Sequence, residues 1–192
     1  MQKPKIILGI DPGTQIMGYA LLKVEGSKTQ VLLMDVLKLT QHKDIYERLE
    51  KMHRKINWKA IYFILFAEKN TAQDINLEIT QVDFLQRIKR LSHTADIGIH
   101  PSYQSNKNPE IMQSERFNLS QVIQKNINSS RQHYLKMQIP NTYYDLIKIG
   151  ILHDYTMGYA SQIGFRASTC RPFPFFDLQA NQITFCFYID VI

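Results

Sequence analysis

Three side chains of this sequence could bind metal or move protons, and two of them stand at the ends of short apolar runs. Asp11 follows the run at residues 6–10; a carboxylate there suits a hard cation such as Mg²⁺, and Asp-Pro-Gly is also typical of a tight turn. His100 ends the run at residues 97–100, and His133 lies on a separate segment. Two such imidazoles could be two of the three protein ligands of a catalytic zinc, or hydrogen-bonded structural residues.

The elements that must position these side chains change in kind along the chain. Apolar runs and a loop with Gly predict three antiparallel strands within residues 1–40, and Asp44 is a capping residue that begins a helix. Later, the strand at 60–67 is apolar on both faces, a helix carries an apolar stripe over 79–91, and 97–100 is a strand. Strand, helix and strand make a right-handed βαβ unit, which predicts an α/β protein.

The rest of the chain alternates between polar and helical patterns. Residues 101–116 are rich in Ser, Asn and Gln, which predicts a long loop. Helices are predicted at 117–127 and at 141–148, the latter with a capping Asn at its start. From residue 158 onward, Gly, Pro and aromatic residues favour loops with short strands.

Composition is that of a globular protein with two parts. Of the 192 residues, 44% are hydrophobic and 21% are charged, which excludes wholesale disorder. The longest apolar run is far shorter than the roughly 20 residues of a membrane span, and the N-terminal run is too short for a secretion signal. We therefore expect a cytoplasmic protein without a membrane partner. Aromatic residues concentrate after residue 56, which predicts domains at 1–56 and 57–192.

The N-terminal string at residues 5–23, KIILGIDPGTQIMGYALLK, resembles the first strands of the RuvC Holliday-junction resolvases, and the resemblance continues to about residue 56. It implies a partial RNase H-like β-hairpin start, Mg²⁺ as cofactor, and DNA junctions contacted through the basic segment 1–56. Asp11 matches the first of the family's four catalytic carboxylates, and no second one follows. Since one carboxylate cannot clamp two ions about 4 Å apart, we expect no cleavage by this chain alone.

Four later strings resemble bacterial polysaccharide deacetylases of the NodB superfamily, in a Bacteroidetes-type form, over residues 60–178: AIYFILFAEKN, DIGIHPSYQSNKNPEI, SRQHYLKM and HDYTMGYASQIGFRASTCRPFPFFDL. The resemblance implies a fragment of a deformed (β/α) barrel, a carbohydrate substrate, and Zn²⁺ or another divalent metal held by an Asp and two histidines. His100 and His133 match the histidine strings and are the implied metal ligands. Three further residues match family strings and are implied to orient the site or the sugar: Arg131, Asp154 and Arg166.

In the deacetylases the metal-binding Asp should precede the position of Ala60. The RuvC-like segment stands there in this sequence, and Asp11, at the end of a predicted strand, is the candidate to replace that Asp. We therefore expect a deacetylase-like protein that is impaired or inactive and binds zinc weakly. The alternatives are a RuvC-type endonuclease of DNA recombination and repair, a basic binding module, and a non-functional gene-fusion product. Unpaired strand edges in two truncated halves predict self-association.

Overall fold

The computed structural model describes residues 4–11, 15–38, 40, 47, 60–159, 161–162, 166–169 and 171–188. Contacts divide the chain into two compact units, Met1–Lys59 and Ala60–Ile192. The predicted domain boundary between residues 56 and 57 lies outside the described residues and stays a prediction. The same holds for the helix predicted to begin at Asp44.

The first unit contains a three-stranded antiparallel sheet in the order β1-β2-β3. The turn from β2 to β3 holds Gly26 at a φ of 59°, a left-handed value that glycine adopts without strain. Met17, Tyr19 and Leu37 are buried. The three predicted antiparallel strands are therefore present, and the RNase H-like arrangement stays a prediction. The strands are β1 (Lys5–Asp11), β2 (Ile16–Glu25) and β3 (Lys28–Lys38).

The second unit is built on a six-stranded mixed sheet in the order β4-β5-β6-β7-β9-β8. Strands β4 to β7 are parallel, β9 runs parallel to β7, and β8 is an antiparallel edge strand. The α/β class is thus observed, while closure into a deformed barrel stays a prediction. The strands are β4 (Ile61–Leu65), β5 (Asp96–His100), β6 (Ser129–Ser130), β7 (His153–Asp154), β8 (Phe173–Asp177) and β9 (Gln182–Tyr188).

The first helix of this unit, α1 (Val82–Thr94), follows the predicted apolar stripe. Phe84, Ile88 and Leu91 recur at helical spacing and are buried, so this face packs toward the core. A further helix, α3 (Asn141–Lys148), has the predicted bounds. None of the helices that the structure describes is long and apolar enough to cross a bilayer.

Helix α2 (Pro109–Ile123) corrects the predicted loop over residues 101–116. Proline at the first helical position has a φ already suited to the first turn. The inward-facing positions of α2 are Met112, Glu115, Leu119 and Ile123, which are all buried. Because one of these positions is a glutamate, the apolar stripe is broken in the sequence; the predicted helix at 117–127 therefore covers only the second half of α2 and extends past its end at Ile123.

Close packing at the centre of the sheet explains the glycine in β5. A Cβ atom on Gly98 would lie 2.5 Å from Phe63 Cε1 and 3.0 Å from the Ser129 carbonyl oxygen. Both distances are shorter than ordinary van der Waals contact, so this position accepts no side chain without displacement of its neighbours. Gly98 therefore fixes how β4 and β6 approach β5, the strand that ends at His100.

Candidate functional site

Two of the predicted site residues meet at the carboxyl edge of the parallel strands. His100 is the last residue of β5, and His133 follows the end of β6 by three residues. The centroids of their imidazole rings are 4.8 Å apart, with the ring planes at 59°. Parallel strands end at the same edge of a sheet, and sites in α/β folds are commonly built there. The structure therefore brings together the two histidines that the sequence placed at strand ends.

A buried aspartate that the sequence reasoning missed orients one of these histidines. His133 Nδ1 lies 2.8 Å from Asp74 Oδ1, and Asp74 is only 1% exposed. The same oxygen accepts the Tyr103 N–H at 2.7 Å, and Oδ2 accepts the Thr71 hydroxyl at 3.2 Å. Because this oxygen already accepts the Tyr103 N–H, it acts as an acceptor and His133 Nδ1 carries the proton of the contact.

The second histidine is fixed in the same tautomer by the backbone. His100 Nδ1 lies 2.5 Å from the Arg131 carbonyl oxygen, which can only accept a hydrogen bond. Burial lowers the pKa of His100, and the nearby His133 and Arg131 lower it further against the raising effect of that hydrogen bond. His100 is therefore a neutral imidazole at neutral pH, with the Nε2 lone pair available.

An acidic cavity of about 370 Å³, lined by four carboxylates and one cation, Lys69, shares Asp74 with this site. Glu115 is 1% exposed in its wall and accepts the Ser102 N–H at 2.9 Å, two residues beyond the end of β5. Burial raises the pKa of Glu115 to about 7, and the charges of Asp74 and Glu68 act in the same direction. A cavity wall that holds a carboxylic acid near neutrality can exchange a proton at physiological pH. Residues that line the cavity include Ala67, Glu68, Asp74, Ser102, Ile111 and Glu115.

Asp154 lies at the end of β7, fully buried below the edge of the sheet. Its Oδ1 accepts the hydroxyls of Ser130 at 2.8 Å and Thr156 at 2.7 Å. Burial raises the pKa of Asp154 to about 6, although these hydrogen bonds lower it. The Thr156 hydroxyl oxygen in turn accepts the Gln132 N–H at 3.0 Å. Asp154 thus contacts the segment next to His133 through Thr156 and does not face the histidines itself.

The two predicted arginines hold loops beside the histidines. Arg131 Nη1 donates to the Tyr155 carbonyl oxygen at 2.7 Å, which links the ends of β6 and β7. Arg166 is exposed, and its Nη1 donates to the Leu135 carbonyl oxygen at 3.1 Å. Both side chains therefore bond to backbone near His133. Their predicted part in orienting a sugar stays a prediction.

Zinc is the metal that the deacetylase resemblance implies, and the described residues do not fit its three-ligand site. Nδ1 of both His100 and His133 is taken up by a hydrogen bond, and Asp74 already accepts hydrogen bonds at both oxygens. Within the described part of the chain, no group of three His, Cys, Asp or Glu side chains is placed to hold an ion. Asp11 ends β1 in the other unit, and its side chain lies outside the described residues.

The sequence contained a pattern from which Asp74 could have been predicted as a site residue. The residue lies in the loop that follows β4, at the same sheet edge as His100, and it stands three residues after Thr71. Thr71 and Asp74 bond to each other through side chains and backbone, a local pattern typical of polar turns. A search for carboxylates after each buried strand, rather than before Ala60, would have found it. Glu115 had no such signal, because it lies within a helix that was predicted as a loop.

Sequence comparison places the similarity to known proteins in the first third of the chain. The family model of Crossover junction endodeoxyribonuclease RuvC matches residues 7–72. Proteins of that name match from Christiangramia forsetii (48% identity over 50 residues, 26% of each chain) and Bacteroides fragilis (43% over 54 residues, 28% of this chain and 29% of the relative). A third, from Porphyromonas gingivalis, is 39% identical over 54 residues. The chain thus spans less than a third of the length of these curated relatives.

The fold of the chain is similar to that of a protein of a different class. A solved structure designated a polysaccharide deacetylase from Mycobacterium smegmatis aligns with 67% of this chain and 40% of its own, at 14% identity and a TM-score of 0.49. A similarity of that size carries no argument about function. Any argument about function must therefore come from the geometry of the site. The RuvC match extends past residue 56, where the predicted resemblance ended, through β4 to residue 72. Residues 7–72 of this chain are therefore RuvC-like in sequence.

Proposed function

We propose that residues 60–188 form a hydrolase of the polysaccharide deacetylase type with low activity, in which His133 is the general base. The observation that carries the proposal is the Asp74 carboxylate, buried and 2.8 Å from His133 Nδ1, with the His100 ring beside it. The four strings that resemble deacetylases support the same reaction class. The substrate would be an N-acetylated carbohydrate.

The chemistry follows from the tautomer that Asp74 imposes. Nε2 of His133 would accept a proton from water as the water oxygen attacks the carbonyl carbon of the N-acetyl group. Asp74 would stabilise the imidazolium that forms. The same proton would then pass to the leaving nitrogen, so that the C–N bond breaks and acetate and a free amine are released. One positioned base accelerates a reaction by only about 10²–10⁴-fold, which is why low activity is expected.

The other predicted residues would act by positioning the loop that carries His133. Asp154 acts through Thr156 on the Gln132 N–H, and Arg131 bonds across to β7. Arg166 bonds to the carbonyl oxygen of Leu135, on the far side of His133. Loss of any one of these bonds should displace the base and reduce turnover without removing the base itself.

Acetate release from N-acetylglucosamine oligomers tests the proposal in the full chain. Asp74→Asn keeps the shape of the side chain but no longer fixes the His133 tautomer, so we expect the rate to fall by at least about tenfold. Asp83→Asn, on the exposed first turn of α1, is the matched control and should leave the rate unchanged. Equal rates for the wild type and Asp74→Asn would refute the role of this pair.

The match over residues 7–72 supports a second candidate function, a Mg²⁺-dependent endonuclease that acts on four-way DNA junctions. The net charge of +4 over residues 1–56 would favour contact with the DNA backbone. Because only Asp11 matches a catalytic carboxylate, we expect junction binding without cleavage. Cleavage in Mg²⁺ that is abolished by Asp11→Asn would overturn this expectation. Absence of both acetate release and junction binding would favour the non-functional fusion product.

A further inference from the structure

The loop after His133 carries backbone strain next to an exposed aromatic ring. Tyr134 has φ 58° and ψ 17°, and Leu135 follows with φ 50°, so two consecutive residues with Cβ atoms are left-handed. This backbone conformation is unfavourable for residues that carry a Cβ atom. Three other described residues that carry a side chain also have a left-handed backbone conformation, Gln124, Ser168 and Asn181, and each of them occurs singly. Paired strain of this kind persists only where surrounding contacts impose it, and it clusters at binding sites.

Hydrogen bonds on both sides of Tyr134 impose this conformation. The Leu135 N–H donates to the Gln132 carbonyl oxygen at 3.0 Å, and the Lys136 N–H donates to the His133 carbonyl oxygen at 3.2 Å. The Lys136 carbonyl oxygen also accepts the Asn106 side-chain amide at 3.0 Å. The loop is therefore held in one shape, and that shape directs the Tyr134 ring outward from a rigid base.

The exposed ring stands directly beside the proposed base. Tyr134 is 61% exposed, and its ring centroid lies 4.7 Å from that of His133. Tyr103 supports it edge-on, with centroids 5.6 Å apart at 82°. The Lys136 ammonium lies 3.6 Å from the centroid of the Tyr103 ring and makes a cation–π contact with the face of that ring. An exposed aromatic ring is thus held in place beside His133.

We propose that Tyr134 is a substrate-binding residue whose ring stacks on the apolar face of a pyranose ring, next to His133. The inference rests on the proposed function and names the surface that would hold its carbohydrate substrate. A pyranose presents C–H groups on one face and hydroxyls at its rim, and an exposed aromatic ring covers such a face at little entropic cost. A nucleobase would also stack, but the cavity that shares Asp74 with the site is lined by four carboxylates against one cation, Lys69, and this excess of acidic groups disfavours a phosphate backbone.

Binding of an N-acetylglucosamine pentamer to the full chain, measured by calorimetry, tests the inference without requiring turnover. We expect Tyr134→Ala to bind about threefold to tenfold more weakly than the wild type, and Tyr134→Trp, which keeps an aromatic face, to retain binding. Phe117→Ala removes another exposed ring, on α2, and should have no effect. Where acetate release is measurable, Tyr134→Ala should raise KM with little change in kcat, whereas Asp74→Asn should lower kcat.

The outcomes separate this inference from the proposed function. Unchanged pentamer affinity in Tyr134→Ala would overturn the inference even if acetate release confirms the base. Weaker binding in Tyr134→Ala would support it even if no acetate is released. No binding of the pentamer by the wild type would also overturn it. If Tyr134→Ala instead weakens only the binding of single-stranded DNA, the ring stacks on bases and the carbohydrate assignment is wrong.

Discussion

The pH dependence of stability should report on Glu115, a carboxyl group buried in the wall of the acidic cavity. In the folded chain its pKa is about 7, against an ordinary value of 4.5, because burial disfavours the carboxylate. Glu115→Gln replaces it with a neutral amide of nearly the same shape, whose oxygen can still accept the Ser102 N–H. The variant therefore removes the charge while preserving the contact.

The sign and the size follow from the two pKa values. Below pH 4.5 the group is protonated in both the folded and the unfolded chain and contributes nothing to the pH dependence. Between pH 4.5 and 7 the unfolded chain loses its proton first, so the free energy of unfolding falls as pH rises. Each unit between the two pKa values corresponds to about 1.4 kcal/mol, so the gap from 4.5 to about 7 amounts to about 3 kcal/mol.

Urea unfolding of the full chain at pH 4 and pH 8, followed by far-UV circular dichroism, measures this difference. Relative to the wild type, Glu115→Gln should gain about 3 kcal/mol in free energy of unfolding between the two pH values. Asp154 titrates in both proteins and cancels in the comparison. Glu110→Gln, exposed in the same cavity wall, is the matched control and should follow the wild type. A Glu115→Gln variant with the wild-type pH dependence would refute the reasoning.

Three further predictions concern packing, metal and association. Gly98→Ala should lower the free energy of unfolding by about 1–3 kcal/mol in urea titrations, because its Cβ would overlap Phe63; unchanged stability would contradict this packing. Calorimetric zinc titration should show weak binding, because His100 and His133 lack a third ligand among the described residues; tight binding that is lost in His100→Ala would contradict it. Sedimentation velocity at micromolar concentration should show oligomers, since β3 exposes several large apolar side chains; a monodisperse monomer would disprove this.

The parts of the fold that follow from local pattern were predictable. Strands β1 to β3 are joined by short connections and need no distant partner to be recognised. The run that became β4 is apolar on both faces, which is typical of parallel strands. Only the second half of helix α2 was predicted, because Glu115 faces inward and interrupts the apolar pattern of the first half. Its position depends on the Ser102 N–H, a contact that no helical periodicity reveals.

The candidate site was predictable only where side chains follow strand ends. His100 and His133 fulfil that condition and were named from the sequence. Asp74 lies 59 residues before His133 in an irregular loop, so their 2.8 Å contact is a product of tertiary structure alone. The strain at Tyr134 has no signature in composition or spacing, because it depends on hydrogen bonds that exist only once the loop is folded.

The position of β9 in the second sheet bears on the order in which the protein can be made. β7 pairs with β6 on one side and with β9 on the other, so residues 182–188 complete the ladder beside Asp154. On the ribosome the sheet of the first unit can form as soon as residues 5–38 have emerged. The second sheet keeps an open edge at β7 until residues 182–188 have also been translated. During that interval the nascent protein exposes unpaired backbone groups, and a chaperone that shields them would raise the yield of folded chains.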